Sequence, residues 1–282
     1  MATLIQGKEV AQKIRENIKN EVANLETKPS LVVIIVGNNP ASKVYVGMKE
    51  KAAQEVGINS TTIRLDENIS QQELENKIEE LNQDKDVNAI LVQLPLPKHI
   101  NTDEIIEKIL PEKDVDGFHP VNMGKLVTGL KPDAVPCTPA GVMKLLEEYN
   151  IDIESKNAVV IGRSNIVGKP VSILLLDKNA TVTICHSRTR NLKDITSQAD
   201  ILIAAVGRPE LIKGDFVKEG AVVIDVGVNR TADGKLVGDV DFDEVEPKAG
   251  YITPVPGGVG PMTIAMLLSN TLNLYKNQVK QS

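Results

Sequence analysis

The chain has 282 residues and a formal net charge of −6, with 41% hydrophobic and 25% charged residues. This length favours two domains, and the interspersed charges form no basic stripe of the kind that binds nucleic acid. The apolar runs are far too short to cross a membrane, and we expect no signal peptide. Two cysteines and three scattered histidines lack metal-ligand spacing, so we expect a cytoplasmic protein without a metal site.

The first part of the chain predicts alternating helices and strands. Apolar residues at helical spacing predict a helix from Lys8 to Leu25, which Pro29 ends. The elements predicted next are strands at 31–36, 61–65 and 89–94 and helices at 41–56, 102–110 and behind a capping box at 70–73. Continuous aliphatic strands are typical of a parallel sheet with helices on both faces. We therefore expect an α/β protein, with an open parallel-sheet domain in this part.

The second part repeats this pattern after a change of composition. Residues 113–136 are rich in Gly, Pro and Asp and lack periodicity, which indicates a crossing between domains. Thr138 before Pro139 predicts the N-cap of a helix. The remaining predicted elements are strands at 158–161, 181–185, 201–206, 221–226 and 251–255, a hairpin-like turn at 233–234 and a helix from 262 to 276. The expected domains are 1–118 with 262–282, and 138–261, with a crossing at 119–137 and a cleft between the two domains.

The segment 159–168 predicts a buried strand, a tight turn and the start of a helix. Such a turn can hold a phosphate with main-chain N–H groups, although its glycine spacing is loose and an ordinary strand-to-helix turn is the alternative. After the next strand, Ser187 and Arg188 stand where an acidic residue usually binds a bare ribose. Arg163 can face the same place, and a guanidinium binds phosphate well. The sequence therefore predicts a Rossmann-type domain that binds NADP through an additional ribose phosphate.

Tyr45 and Lys49 share one face of a predicted helix that follows the first buried strand. A tyrosine can stack on a flat heterocycle, and a lysine partly shielded from water can transfer protons near neutral pH. The alternative is a half-buried ring beside a solvated charge. Gln93 ends another buried strand, where its amide has a ligand, Lys49 or a neighbouring loop as possible partners.

Two further segments carry residues suited to binding. Asp114 and Asp116 share a face only in an extended segment, and the sequence leaves open whether they act as a pair or lie in a solvated turn. One of them could accept hydrogen bonds from N–H groups of a ligand. The glycines of 254–263 allow the main chain to approach a ligand closely, and a rigid hinge is a second interpretation that is compatible with the first.

Six motifs of this chain, in this order, resemble the bifunctional methylenetetrahydrofolate dehydrogenase/methenyltetrahydrofolate cyclohydrolase family. They lie at 45–51, 92–97, 114–117, 136–139, 162–168 and 256–263. The resemblance covers nearly the whole chain. It implies oxidation of 5,10-methylenetetrahydrofolate with NADP⁺, hydrolysis of the methenyl product to 10-formyltetrahydrofolate, one shared folate site and a homodimer formed through the cofactor domains.

The resemblance also implies a role for each matched residue. Lys49 is the catalytic lysine, Gln93 its amide partner and Asp116 the acid that binds the pterin, while the segment 256–264 closes over folate and nicotinamide. The expected folate-binding residues are Tyr45, Lys49, Val92, Gln93, Leu94, Asp116, Pro256, Gly257, Gly258 and Thr263. The expected NADP-binding residues are Gly162, Arg163, Ser164, Ser187, Arg188 and Val228, the last in place of a more common Ile.

Two other functions fit parts of this pattern. An NADP dehydrogenase for a small hydroxy or amino acid would have a compact polar pocket instead of room for a pterin. A folate or nucleotide sensor would bind without turnover, and the complete set of Tyr45, Lys49, Gln93 and Asp116 argues against it.

Overall fold

Strands and helices alternate along the chain in the computed structural model, which describes residues 1–231 and 233–280. The helices are α1 (Gly7–Ala23), α2 (Pro40–Val56), α3 (Gln71–Gln83), α4 (Thr102–Lys108), α5 (Pro120–Val127), α6 (Cys137–Glu148), α7 (Gly168–Asp177), α8 (Leu192–Thr196), α9 (Phe242–Val245) and α10 (Val259–Val279), with a 3-10 turn at Gly214–Phe216. The strands are β1 (Thr3–Leu4), β2 (Ser30–Val36), β3 (Asn59–Leu65), β4 (Ala89–Val92), β5 (Asn157–Ile161), β6 (Thr181–Cys185), β7 (Ile201–Ala204), β8 (Val222–Asp225), β9 (Asn229–Arg230), β10 (Leu236–Val237) and β11 (Tyr251–Ile252). This alternation confirms the predicted α/β class.

A three-stranded unit contains Lys13–Val135 and the chain from Ile264 onward. Its sheet has the order β3-β2-β4 with all strands parallel, and β2 is the central strand. Residues 31–36 of β2 are buried, as expected for an aliphatic strand with helices on both faces. The capping box of α3 forms as predicted, since Ser70 and Glu73 exchange side-chain to main-chain hydrogen bonds.

A six-stranded unit contains Met1–Gln12 and Pro136–Thr263. Its sheet has the order β1-β11-β8-β7-β5-β6, and every neighbouring pair is parallel. The chain adds β6 on one side of β5 and then β7 on the other side. This reversal makes the carboxyl ends of β5 and β7 a topological switch point, where open parallel sheets bind ligands. The predicted turn at 233–234 joins the antiparallel strands β9 and β10.

The two units differ from the expected domain boundaries at three places, one of which is that Met262 and Thr263 lie in the six-stranded unit and not with the rest of the final helix. Thr3 and Leu4 pair in parallel with β11, so the first residues lie in the six-stranded unit and not with the chain that follows them. The expected crossing contains α5, and residues up to Val135 lie in the three-stranded unit. Helix α5 has eight residues, which is too short for an apolar periodicity to reveal.

Two helix starts also differ from the sequence-based prediction. Helix α6 begins at Cys137 with Pro136 at the N-cap position, and the hydroxyl of Thr138 is hydrogen-bonded to that of Thr263 (2.9 Å) instead of capping the helix. Helix α10 begins at Val259, three residues before the predicted start. Proline is tolerated in a first helical turn, so Pro261 does not delay the helix.

Most of α10 lies in the three-stranded unit, as expected for the final helix. The buried Asn270 amide of α10 donates hydrogen bonds to the carbonyl oxygens of Val115 and Val135, both at 2.9 Å. These bonds tie two irregular segments of the unit to α10. None of the described helices has both the length and the apolar character that a membrane span needs.

Candidate active site

Lys49 and Gln93 form a direct pair at the carboxyl edge of the three-stranded sheet. Lys49 lies on α2, is only 9% exposed, and donates from Nζ to Gln93 Oε1 at 2.9 Å. Gln93 directly follows β4, and its N–H donates to the Ile34 carbonyl oxygen of β2. Its side-chain Nε2 donates to the Leu94 carbonyl oxygen (2.7 Å), which orients Oε1 toward the lysine. A nearly buried amine thus has a fixed neutral acceptor.

Tyr45 lies one helical turn before Lys49 and is 44% exposed, so part of its ring is available to a ligand. Leu94 follows Gln93 and is half-buried. The Val92 side chain packs into the apolar core of the unit with Ile34 and Ile90. Val92 therefore has only its main chain to offer a ligand. A cavity of about 350 Å³ opens at the same edge, lined by residues 36–39, Glu67 and 95–97.

Asp114 and Asp116 have different environments. Asp114 is buried and accepts hydrogen bonds from the N–H groups of Gly117 (3.1 Å) and His119 (2.8 Å) and from the Asn122 amide (3.0 Å). Burial raises the pKa of the Asp114 carboxyl, and these bonds oppose the shift. Asp114 therefore organises the loop that follows it.

Asp116 reaches the same sheet edge as Gln93. A parallel bridge joins Ile90 of β4 to Asp114. Asp116 follows the bridged Asp114 by two positions, as Val92, the last residue of β4, follows Ile90. Asp116 is half-buried, and the loop that Asp114 holds begins directly after it.

The glycine-rich segment at 256–258 belongs to the six-stranded unit, as does Thr263. The Lys8 N–H donates to the Gly257 carbonyl oxygen (2.9 Å), and the Gly258 N–H donates to the Pro254 carbonyl oxygen (2.8 Å). Residues from 259 onward are helical, so only the first part of the predicted closing segment 256–264 is a loop. The loop has a defined main-chain structure because it packs against the start of α1.

The predicted phosphate turn follows β5 at the switch point of the six-stranded sheet. Gly162 has a φ of +130°, and a Cβ there would lie 2.2 Å from the Ala205 carbonyl oxygen, so only glycine fits. The Ser164 hydroxyl accepts from the N–H groups of Val167 (3.1 Å) and Gly168 (3.3 Å). Within the described chain, the N–H groups of residues 163–166 have no acceptor. This turn presents donors that suit a phosphate group.

The other predicted cofactor residues follow neighbouring strands at the same edge. Ser187 and Arg188 lie in an exposed turn directly after β6, which pairs with β5 so that Ile161 is opposite Cys185. Arg163 follows β5, beside that turn. Val228 follows β8 and is 48% exposed. Because all these strands are parallel, their carboxyl ends bring the six predicted residues to one edge.

A buried carboxylate pair, Asp225 and Asp239, also lies at this edge and was not predicted from the sequence. Asp225 ends β8 and accepts hydrogen bonds from the N–H groups of Gly227 (2.9 Å), Asp239 (3.0 Å) and Val240 (2.9 Å). Burial raises its pKa to about 7, and the nearby Asp239 carboxylate adds to the increase, against those three bonds. An acidic residue at the end of an otherwise apolar strand was the available signal in the sequence.

The two edges together define a class of protein. A parallel sheet with a glycine turn and unpartnered N–H groups at its switch point is typical of a Rossmann-type dinucleotide-binding dehydrogenase. The three-stranded unit adds Lys49, whose amine is held by the Gln93 amide and is suited to proton transfer.

Comparisons with known proteins identify the family. The catalytic domain of tetrahydrofolate dehydrogenase/cyclohydrolase matches residues 5–116, and the NAD(P)-binding domain of the same family matches residues 136–279. The chain is 60% identical over 281 residues to bifunctional protein FolD of Sulfurihydrogenibium sp. (strain YO3AOP1), with 98% of each chain covered. The chain therefore belongs to the tetrahydrofolate dehydrogenase/cyclohydrolase family, as its motifs predict.

Solved structures agree with this assignment. The crystal structure of the bifunctional enzyme FolD from Campylobacter jejuni has a TM-score of 0.97 and 54% identity, and the match covers 98% of this chain and 99% of that one. FolD from Trypanosoma brucei, complexed with NADP cofactor and an inhibitor, has a TM-score of 0.96 and 43% identity, with 99% of each chain covered.

The raised pKa of Asp225 predicts a pH-dependent stability. The pKa of Asp225 is about 7 in the folded chain and ordinarily 3.8. Between pH 3.8 and pH 7 the folded chain therefore keeps a proton on Asp225 that the unfolded chain has lost. The free energy of unfolding of the wild type should fall, relative to Asp225→Asn, as the pH rises from 5 to 7. The change is up to about 1.4 kcal/mol for each pH unit. Urea unfolding at pH 5, 6 and 7 measures it, and a constant difference between the two proteins would contradict it.

Proposed function

We propose that this chain is a bifunctional methylenetetrahydrofolate dehydrogenase and methenyltetrahydrofolate cyclohydrolase, with Lys49 as the catalytic group of the hydrolytic step. The contact between Lys49 Nζ and Gln93 Oε1 supports the proposal most directly. Both domains of the family match this chain, and a bifunctional protein FolD is 60% identical to it with 98% of each chain covered. In this proposal the three-stranded unit provides the catalytic residues, and the six-stranded unit binds NADP.

The residues of the six-stranded edge fit NADP. Unpartnered N–H groups at 163–166 suit the pyrophosphate, while Arg163, Ser187 and Arg188 offer two guanidinium groups and a hydroxyl to the 2′-phosphate. No carboxylate occupies the turn 186–189, so a phosphate meets no repulsion from that turn. Bound NADP⁺ supplies the hydride acceptor for oxidation of the methylene group.

In the dehydrogenase step, the protein mainly aligns and holds the folate. We assign Tyr45 to stacking on the flat part of the substrate, because its ring is partly exposed one turn from Lys49. We assign Asp116 to bind the pterin, because a carboxylate accepts strong hydrogen bonds from N–H groups. Orientation of the reacting carbon accounts for much of the barrier that such an enzyme removes.

In the cyclohydrolase step, water adds to the cationic methenyl carbon, and the bond from that carbon to the ring nitrogen N5 then breaks. Lys49 accepts a proton from the attacking water and returns it to N5, and the second proton of that water goes to solvent. The formyl group remains on N10. Gln93 holds the lysine at 2.9 Å, so Nζ has one location through both proton transfers.

We also propose a homodimer formed through the six-stranded unit. Strand β6 is an edge strand of the sheet, and its Ile184 side chain is 42% exposed. Leu176 of α7, which packs against β6, is 55% exposed. An uncovered edge strand with apolar side chains favours association with a second chain.

A cytoplasmic location is part of the proposal. It is supported by Cys137 and Cys185, which are buried thiols and not a disulfide. Cell fractionation with an antibody tests it, and recovery of the protein outside the cytoplasmic fraction would contradict it.

Substitution of Lys49 tests the hydrolytic mechanism. Lys49→Ala should lower cyclohydrolase kcat by about 10³-fold or more, because the proton-transfer group is lost. Lys49→Arg should lower cyclohydrolase kcat to a similar extent, since a guanidinium keeps the charge but cannot release its proton near neutral pH. The decay of methenyltetrahydrofolate absorbance measures the rate, and NADP binding should survive in both variants.

Lys43→Ala is the matched control, because Lys43 is an exposed lysine of the same helix. It should retain full activity. Continued formation of 10-formyltetrahydrofolate by Lys49→Ala at the wild-type rate would remove the role assigned to Lys49.

The 2′-phosphate contacts are tested by the double variant Arg163→Ala with Ser187→Ala. NADP⁺ should bind more weakly by about tenfold to a hundredfold, because charge-assisted hydrogen bonds are lost, while the weaker binding of NAD⁺ changes little. Calorimetric titration with both nucleotides measures this. Lys178→Ala, at the other end of α7, should leave both affinities unchanged. An equal loss for the two nucleotides would exclude the 2′-phosphate assignment.

The dimer is tested by placing a charge on the edge strand. Ile184→Lys should convert a dimer of two 30.6 kDa chains into monomers, because a lysine is costly to bury in an apolar contact. Analytical ultracentrifugation gives the mass. Leu4→Lys, on the edge strand β1 at the other side of the sheet, is the control and should remain dimeric. A wild type that sediments as a monomer would disprove the dimer.

A further inference from the structure

The carboxylate of Asp239 lies fully buried behind the turn that follows β7. Its Oδ2 accepts hydrogen bonds from the N–H groups of Val206 (2.6 Å) and Gly207 (3.0 Å), and its Oδ1 accepts from the N–H of Arg208 (2.9 Å). Three consecutive main-chain donors thus converge on one side chain. A buried carboxylate with this many donors fixes the turn strongly, because losing the acceptor would leave several polar groups unpaired.

Asp239 also holds a second segment of the same edge. The side-chain amide of Asn229 donates to Asp239 Oδ1 at 2.9 Å, and Asn229 directly follows Val228. The carboxylate therefore connects the turn after β7 with the loop after β8.

The chain that carries Asp239 is itself well anchored. The Asp225 carboxylate accepts hydrogen bonds from the N–H groups of Asp239 and Val240. The Ile212 N–H donates a hydrogen bond to the Asp239 carbonyl oxygen (3.0 Å). A Cβ on Gly227 would lie 2.3 Å from the Asp239 carboxyl carbon, so the loop after β8 approaches this side chain closely. The carboxylate has a fixed location relative to both segments.

The strand order indicates which part of a dinucleotide this turn meets. The 2′-phosphate residues Ser187 and Arg188 follow β6, on one side of β5, while the turn at 206–208 follows β7 on the other side. A dinucleotide that crosses the switch point with its adenosine half toward β6 places its other half toward β7. Since Asp239 engages the N–H groups of 206–208, this turn is not built to bind a phosphate as the turn at 163–166 is.

We propose that Asp239 is a positioning residue for the nicotinamide half of NADP: its carboxylate holds the main chain of 206–208 and the loop of Val228 in the shape that receives this half. The inference rests on the proposed function for NADP binding. Asp239 acts through the main chain and touches neither substrate nor reacting atoms.

The test compares two nucleotides on the full-length protein. Asp239→Asn replaces one acceptor oxygen with a donor, so the three N–H groups are no longer satisfied together. NADP⁺ should bind about tenfold or more weakly to this variant. Adenosine 2′,5′-bisphosphate, which lacks the nicotinamide half, should bind within about twofold of its wild-type affinity, given that the 163–166 turn and β6 are unaffected.

Cyclohydrolase activity is the second readout, since Lys49 and Gln93 lie in the three-stranded unit. It should remain within about twofold of the wild type when measured without NADP. Asp241→Asn makes the same chemical change two residues further along, at the N-cap of α9, and should leave both nucleotide affinities unchanged.

Asn229→Ala keeps the test decisive if Asp239→Asn does not fold. This milder change removes only the bond from Asn229 to Asp239 and should weaken NADP⁺ binding about threefold or more, again without effect on the bisphosphate. Unchanged NADP⁺ affinity in a folded variant, or equal loss for both nucleotides, would overturn the inference. A wild type that binds no NADP⁺ would instead refute the proposed function.

Discussion

Both units depend on one geometric constraint: parallel strands bring every strand-to-helix connection to the same edge of the sheet. In each unit the chain lays strands on one side of a central strand and then on the other, around β2 in one unit and β5 in the other. The carboxyl ends at these reversals are left uncovered by the connections, which is where open parallel sheets bind ligands. The Lys49–Gln93 pair lies at the first such edge, and the Gly162 turn lies at the second.

Buried carboxylates give these edges their rigidity. Asp114, Asp225 and Asp239 each accept hydrogen bonds from main-chain N–H groups of the loops that follow the strands. Each costs desolvation energy, which raises the pKa of Asp114 and Asp225, and each satisfies donors that would otherwise be buried unpaired. Stability is thus traded for a defined loop shape beside the predicted ligand-binding residues, a common feature of functional sites.

Much of the architecture was predictable from local sequence. Continuous aliphatic segments predicted the strands, and apolar residues at helical spacing predicted the longer helices, because both patterns repeat over several residues. The turn at 162–168 and the pair Ser187 and Arg188 predicted NADP for chemical reasons that need no coordinates. Six ordered motifs were enough to predict the family, which the comparisons confirm.

Tertiary contacts decided what local sequence left open. Asp114 and Asp116 look equivalent in the chain, and only the packing of the loop against Asn122 separates an organising residue from one at the sheet edge. The first residues belong with β11, a partner about 250 positions away. The roles of Asp225 and Asp239 depend on donors from distant segments. Spacing and composition describe neighbours along the chain, whereas burial and hydrogen-bond partners arise from residues that meet only after folding.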